Sequence, residues 1–141
     1  MKRFSLVVLV IGLAVGVMGL GIALAAAQDA APTPWEIPAD AKAVPNPVEA
    51  TPEAIAAGGE LYKKHCLMCH GETGKGDGPA TKFMKPVPHD ISTAAVKTAN
   101  TDGEIFYKIS TGKKPMPPMN RKLSETERWQ VVHYVRSLQV N

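Results

Sequence analysis

The sequence predicts an all-α protein with three main helices, and three signals carry that reading. Thr51-Pro52-Glu53 sets a cap residue, a first-turn proline and an acid in succession. Thr101 to Glu104 and Ser124 to Glu127 both fit the S/T-x-x-E capping box. The last segment carries Val131, Tyr134, Val135 and Leu138 at offsets of three, four and seven, the apolar stripe of one helix face.

The chain divides into three segments. In residues 1–27, Lys2 and Arg3 precede an uncharged run from Phe4 to Ala27, and Ala23, Ala25 and Ala27 offer A-x-A cleavage positions. The run is 24 residues long. A removed signal peptide and a retained anchor helix both fit it, because a bilayer needs about 20 apolar residues. In either case the positive-inside rule keeps Lys2 and Arg3 in the cytoplasm and sends the rest across. The protein is therefore expected in the periplasm or on the outer face of the cytoplasmic membrane.

Residues 28–50 read as a linker, with Pro32, Pro34, Pro38, Pro45 and Pro47 among small and polar residues. Polyproline geometry, at about 3.1 Å per residue, would let it span up to about 70 Å. Trp35 and Ile37 are apolar exceptions expected to dock on the folded domain. That domain occupies residues 51–141. Its first helix carries Ile55 and Tyr62, its second Ile105, Phe106 and Ile109 with Gly112 as the stop, and its last the stripe ending near Arg136. About ninety residues are few for a self-sufficient core, so a bound apolar group would supply missing mass.

Cys66-Leu67-Met68-Cys69-His70 identifies that group. Two cysteines separated by two residues can form thioethers on one edge of a porphyrin, and the following histidine then lies under the iron. A zinc site would need four ligands, yet the chain has two cysteines and only His65, His89 and His133 besides His70. A thioredoxin-like dithiol would sit in a βαβ pattern, and nothing nearby alternates like buried strands. The expected cofactor is one haem c, attached through Cys66 and Cys69, with His70 as the proximal ligand. The glycines of Gly71 to Pro79 imitate a phosphate loop but lack the Lys-Ser/Thr pair that opens a helix after a strand, so they read as backbone close to a flat cofactor.

For the distal position, Lys113-Lys114-Pro115-Met116-Pro117-Pro118-Met119 offers two methionines in a proline-rich loop. Proline restricts φ, so such a loop can hold a thioether without a helix beneath it. Met116, with proline on both sides, is preferred over Met119. His89 and His133 compete as bis-histidine ligands, and ordinary packing or surface roles suit both better.

These residues resemble the class I c-type cytochromes, particularly bacterial monohaem domains, over about Thr51 to Leu138. The resemblance rests on Cys66 to His70, on Gly58 and Tyr62 before it, on Gly74 to Pro79, on Met116-Pro117 and on Trp129 to Leu138. It implies a small cytochrome c fold around one covalent haem. It also implies that Gly58 and Tyr62 let the first helix cross the last against Val131 and Tyr134. Pro79 would offer its carbonyl to the outer nitrogen of His70, and Met116 would be the distal ligand. The extension and motifs look similar to cytochrome subunits attached to bacterial respiratory complexes.

A six-coordinate iron leaves no open position, which favours single-electron transfer between respiratory redox partners over catalysis. A haem enzyme or gas or peroxide sensor with a displaceable sixth ligand is the alternative, as is a fixed relay subunit of a membrane complex. The formal charge is +3. From Lys63 to Lys122 eleven basic residues face five acidic ones, whereas Gln28 to Tyr62 has one lysine and six acids. Lys75, Lys82, Lys85, Lys113 and Lys114 would ring the haem edge and steer an acidic partner surface. Nucleic-acid binding has no supporting motif.

Overall fold

The computed structural model describes residues 34–139, and the expected signal or anchor segment lies outside them. Six helices occur among the described residues: α1 (Ala39–Ala43), α2 (Pro52–His65), α3 (Leu67–His70), α4 (Ala94–Ala99), α5 (Asp102–Thr111) and α6 (Glu125–Leu138), with a 3-10 helix at Pro79–Phe83. No helix among the described residues is long and apolar enough to cross a membrane.

The three expected helices form where their caps place them. Thr51 Oγ1 accepts from the Ala54 amide at 3.1 Å, and both capping boxes close reciprocally, at Thr101 with Glu104 and at Ser124 with Glu127. Gly112 ends α5 with a φ of 62°. The carboxylates of Glu104 and Glu127 accept backbone amides, which holds both below the usual carboxylate range. α1 and α4 carry too few residues for a periodic stripe, which is why sequence patterning does not reveal them.

The core lies where α2 crosses α6. Tyr62, Ile105, Ile109, Met119, Leu123, Trp129, Val131, Val132 and Val135 form one buried cluster. A Cβ on Gly58 would overlap the carbonyl of Gln130 and stand 3.1 Å from the Val131 amide nitrogen, so only glycine permits this approach. Beside it, Tyr62 and Tyr134 meet at 5.1 Å between ring centroids, tilted by 49°. On the other side of α6, Trp129 stacks on Phe106 of α5 at 3.8 Å, with the Arg128 guanidinium 4.7 Å above the Phe106 ring. Arg136 ties three elements: it donates to Asp102 Oδ1 at 2.6 Å and to the carbonyls of Lys97 and Asn100 at 3.1 and 2.7 Å.

Within the segment read as an extended linker, residues from Pro34 onward run as a strap over α5 and α6. Thr101 Oγ1 donates to the Lys42 carbonyl at 2.8 Å, and Lys42 pairs with Glu104 at 3.5 Å. Asn46 Nδ2 donates to the Trp129 carbonyl at 3.1 Å, and His133 Nε2 lies 2.7 Å from the Val48 carbonyl. These partners replace the water that would keep a proline-rich chain extended, so the 70 Å span does not apply to this stretch. The expected docking of Trp35 does occur.

Gly58→Ala tests the crossing. A better helix former would stabilise an open helix by about 1 kcal/mol. Here the overlap with Gln130 should instead cost about 1–3 kcal/mol, seen as a lower midpoint in denaturant or thermal unfolding.

Candidate haem site

Cys66 is the joint between α2 and α3, and its carbonyl accepts the amides of Cys69 at 3.1 Å and His70 at 2.9 Å. Cys69 and His70 follow it by three and four residues, so a single helical turn presents both sulfurs and the imidazole on one side. Burial pushes the Cys66 thiol up to about 12, helped by Cys69 beside it. An activated redox dithiol shows the opposite shift. Among the described residues no three His, Cys, Asp or Glu side chains gather into a group that could hold a metal ion.

Burial lowers the His70 pKa, so the ring is neutral at pH 7 and has a lone pair to donate. Its Nδ1 is buried with no hydrogen-bond partner. The bond expected from the Pro79 carbonyl is therefore absent from this structure. Pro79 is exposed in the first turn of the 3-10 helix, where carbonyls align along the helix axis.

The glycine loop folds back under the motif. The amides of Gly76 and Gly78 donate to the carbonyls of His70 at 2.9 Å and Cys69 at 3.3 Å, and Gly71, Gly74 and Gly76 take positive φ values to do so. Ile91 then donates to Gly74 at 2.8 Å and leads the chain away. Tyr62 connects this loop to the core: its buried hydroxyl, raised above the ordinary pKa by burial first, donates to the Gly71 carbonyl at 2.9 Å. Met68 of the motif, and Phe83 and Val87 after it in the chain, are large apolar side chains exposed at 54%, 91% and 52%. A flat apolar group packed on such side chains would cover surface that water otherwise wets.

The two candidate methionines separate clearly. Met119 is 4% exposed inside the core, and its carbonyl accepts the amides of Lys122 and Leu123 at 2.9 Å. Met116 is half-buried against the edge of that core, with its amide bonded to the Lys113 carbonyl at 2.8 Å. A Cβ on Gly112 would stand 2.5 Å from the Pro118 nitrogen, so the loop can return close to its own origin only over a glycine. Its far end is held where Met119 donates to the Ile109 carbonyl at 3.0 Å. Of the competing histidines, His133 is engaged by Val48 and His89 is exposed; His65, not among them, is half-buried.

Sequence reasoning missed two features here. Trp129 Nε1 is a second buried polar atom without a partner, and a lone tryptophan in a helix gives no signal of that. Lys113, expected on a charged ring, is turned to the strap: its Nζ donates to the Pro34 carbonyl at 3.0 Å and stands 5.7 Å from the Trp35 ring centroid.

The arrangement defines an all-α haem-attachment domain, with both thiols and the His70 imidazole on one turn. The chain belongs to the cytochrome c family: the family model described as Cytochrome c matches residues 55–139. Haem c is that family's cofactor, and Cys66 and Cys69 fit its C-x-x-C-H attachment motif; family membership supports haem-based electron transfer. The chain is 30% identical over 87 residues to the cytochrome bc1 complex cytochrome c subunit of Corynebacterium diphtheriae, spanning 61% of this chain and 28% of that protein. It is 48% identical over 106 residues to quinohemoprotein alcohol dehydrogenase ADH IIB of Pseudomonas putida, spanning 75% of this chain and 14% of that protein. A stretch of 106 residues within 141 begins no later than residue 36, so this likeness includes most of the strap. Among solved structures, the reducing HAO-like protein complex of Kuenenia stuttgartiensis matches with a TM-score of 0.59 and 36% identity, over 67% of this chain and 47% of that one.

Tyr62→Phe removes the hydroxyl that fastens the glycine loop and leaves the buried Gly71 carbonyl with only the long 3.5 Å bond from the Gly74 amide. The expected cost is about 1–3 kcal/mol, together with faster amide hydrogen exchange at Gly76 and Gly78, measured against the wild-type holoprotein.

Proposed function

We propose that the protein is a monohaem electron carrier of the periplasm or the outer face of the cytoplasmic membrane, in which His70 and Met116 would be the axial ligands of a haem c held by Cys66 and Cys69. When bound, the haem supplies one-electron chemistry at its iron. Cys66 and Cys69 fix its position by covalent attachment, and the buried, neutral His70 donates its lone pair on the proximal side. The observation that carries the distal assignment is the engagement of Met119 and His133 elsewhere in the fold. Met119 is spent in the core and His133 on Val48, while Met116 stays at the core edge in a loop stiffened by proline. A soft thioether favours the reduced iron relative to a second imidazole, which suits high-potential respiratory partners. With His70 and Met116 both holding the iron, outer-sphere transfer would be the chemistry left to it, and no catalytic residue is assigned.

Lys75, Lys82, Lys85 and Lys114 are exposed and would meet a partner carrying acidic groups. Respiratory redox assemblies are the proposed partners, in keeping with the relatives named as cytochrome bc1 subunits and as a quinohaemoprotein dehydrogenase. Because this chain spans only 28% and 14% of those proteins, a relay held within a larger complex is a second reading.

Optical spectra of the holoprotein test the ligands. Met116→Ala should abolish the methionine-to-ferric charge-transfer band and admit carbon monoxide to the reduced protein. Met119→Ala should keep the band and cost about 2–5 kcal/mol in unfolding free energy; the reverse pattern would overturn the assignment.

Stopped-flow reduction separates the two modes of use. A diffusing carrier should show a second-order rate that falls steeply between low and about 0.15 M salt, as the lysine field is screened. A fixed relay should show a rate independent of its own concentration.

A further inference from the structure

The strap meets the distal loop at one place. Trp35 is half-buried beside Tyr107, Thr111 and Gly112 at the end of α5, where the loop begins. The Lys113 ammonium lies 5.7 Å from the Trp35 ring centroid and 3.0 Å from the Pro34 carbonyl, 79 residues away in sequence. The Lys113 backbone in turn forms an isolated antiparallel bridge with Met116, whose amide it accepts at 2.8 Å. The far limb is already secured in the core through Met119 and Ile109. The near limb turns on Gly112, the residue with least resistance to backbone rotation. A latch across that limb is therefore placed where it most restricts opening.

We propose that Trp35 is a positioning residue for the distal ligand: with the Pro34 carbonyl it holds Lys113, and through the Lys113–Met116 bridge it keeps the methionine loop closed over the haem. This rests on the Met116 assignment made above. The cation–π contact and the lysine hydrogen bond favour the closed loop over an open one. An added ligand that binds the iron only when the loop opens thus reads their strength directly, since its apparent affinity scales with the open fraction. The likeness to the quinohaemoprotein dehydrogenase reaches back to residue 36 or earlier, well beyond the 55–139 family match. The sequence of residues 36–50 is thus part of what those two chains share.

The test is imidazole binding to the ferric holoprotein, followed by loss of the methionine-to-ferric band, in wild type, Trp35→Ala, Trp35→Phe, Lys113→Ala and Met116→Ala. Trp35→Ala and Lys113→Ala should each bind imidazole about fivefold more tightly than wild type. Trp35→Phe, which keeps an aromatic face, should return most of the way to wild type. Two variants that break one contact from opposite sides keep the result independent of how either alone folds. Wild-type imidazole affinity in both Trp35→Ala and Lys113→Ala would overturn the latch. If Met116→Ala kept the band, the ligand assignment itself would fall; if Met116→Ala lost it while the latch variants matched wild type, only the latch would.

Discussion

The contact between Gly58 and the backbone of Gln130 and Val131 is the constraint on which the site depends. A side chain at residue 58 would wedge α2 away from α6. Closure brings Tyr62 into the core, places its hydroxyl on Gly71 and fixes the direction in which α2 delivers Cys66. The position of the motif turn is thus set by a helix crossing, with a tyrosine hydrogen bond carrying that position into the glycine loop.

Around this crossing the polar interactions are concentrated at joints. Arg136 gathers α4, α5 and α6, while Asn46 and His133 hold the strap to α6. Each joins segments distant in sequence, where apolar burial alone leaves sliding freedom. Burial keeps Cys66 and His70 uncharged, the state in which neither attracts water or competes for protons at neutral pH.

Much of this was legible in the residues. The capping boxes at Thr101 and Ser124 and the Thr51-Pro52 opening locate α5, α6 and α2 because caps act through neighbours three residues away. The attachment turn was legible for the same reason, since Cys66, Cys69 and His70 share one turn. What escaped depends on distant partners. The 34–50 strap reads as linker because its prolines are a local signal, and the carbonyls and side chains that bind it belong to residues after 100. The roles of Met119 and Lys113 turn on which face of a loop meets the core, and period-based reading has no purchase on a loop. The bond from the Pro79 carbonyl to His70 is a family-implied contact the structure does not form.

The crossing at Gly58 also imposes an order of events. Its two sides are far apart in the chain, so local turns and caps can form early, whereas the crossing must enclose the whole intervening segment before it gains anything. Until then Cys66 is an ordinary solvent-exposed thiol. Afterwards burial pushes it up to about 12 and leaves little thiolate. The crossing that positions the motif turn thus also sets how readily the Cys66 sulfur ionises.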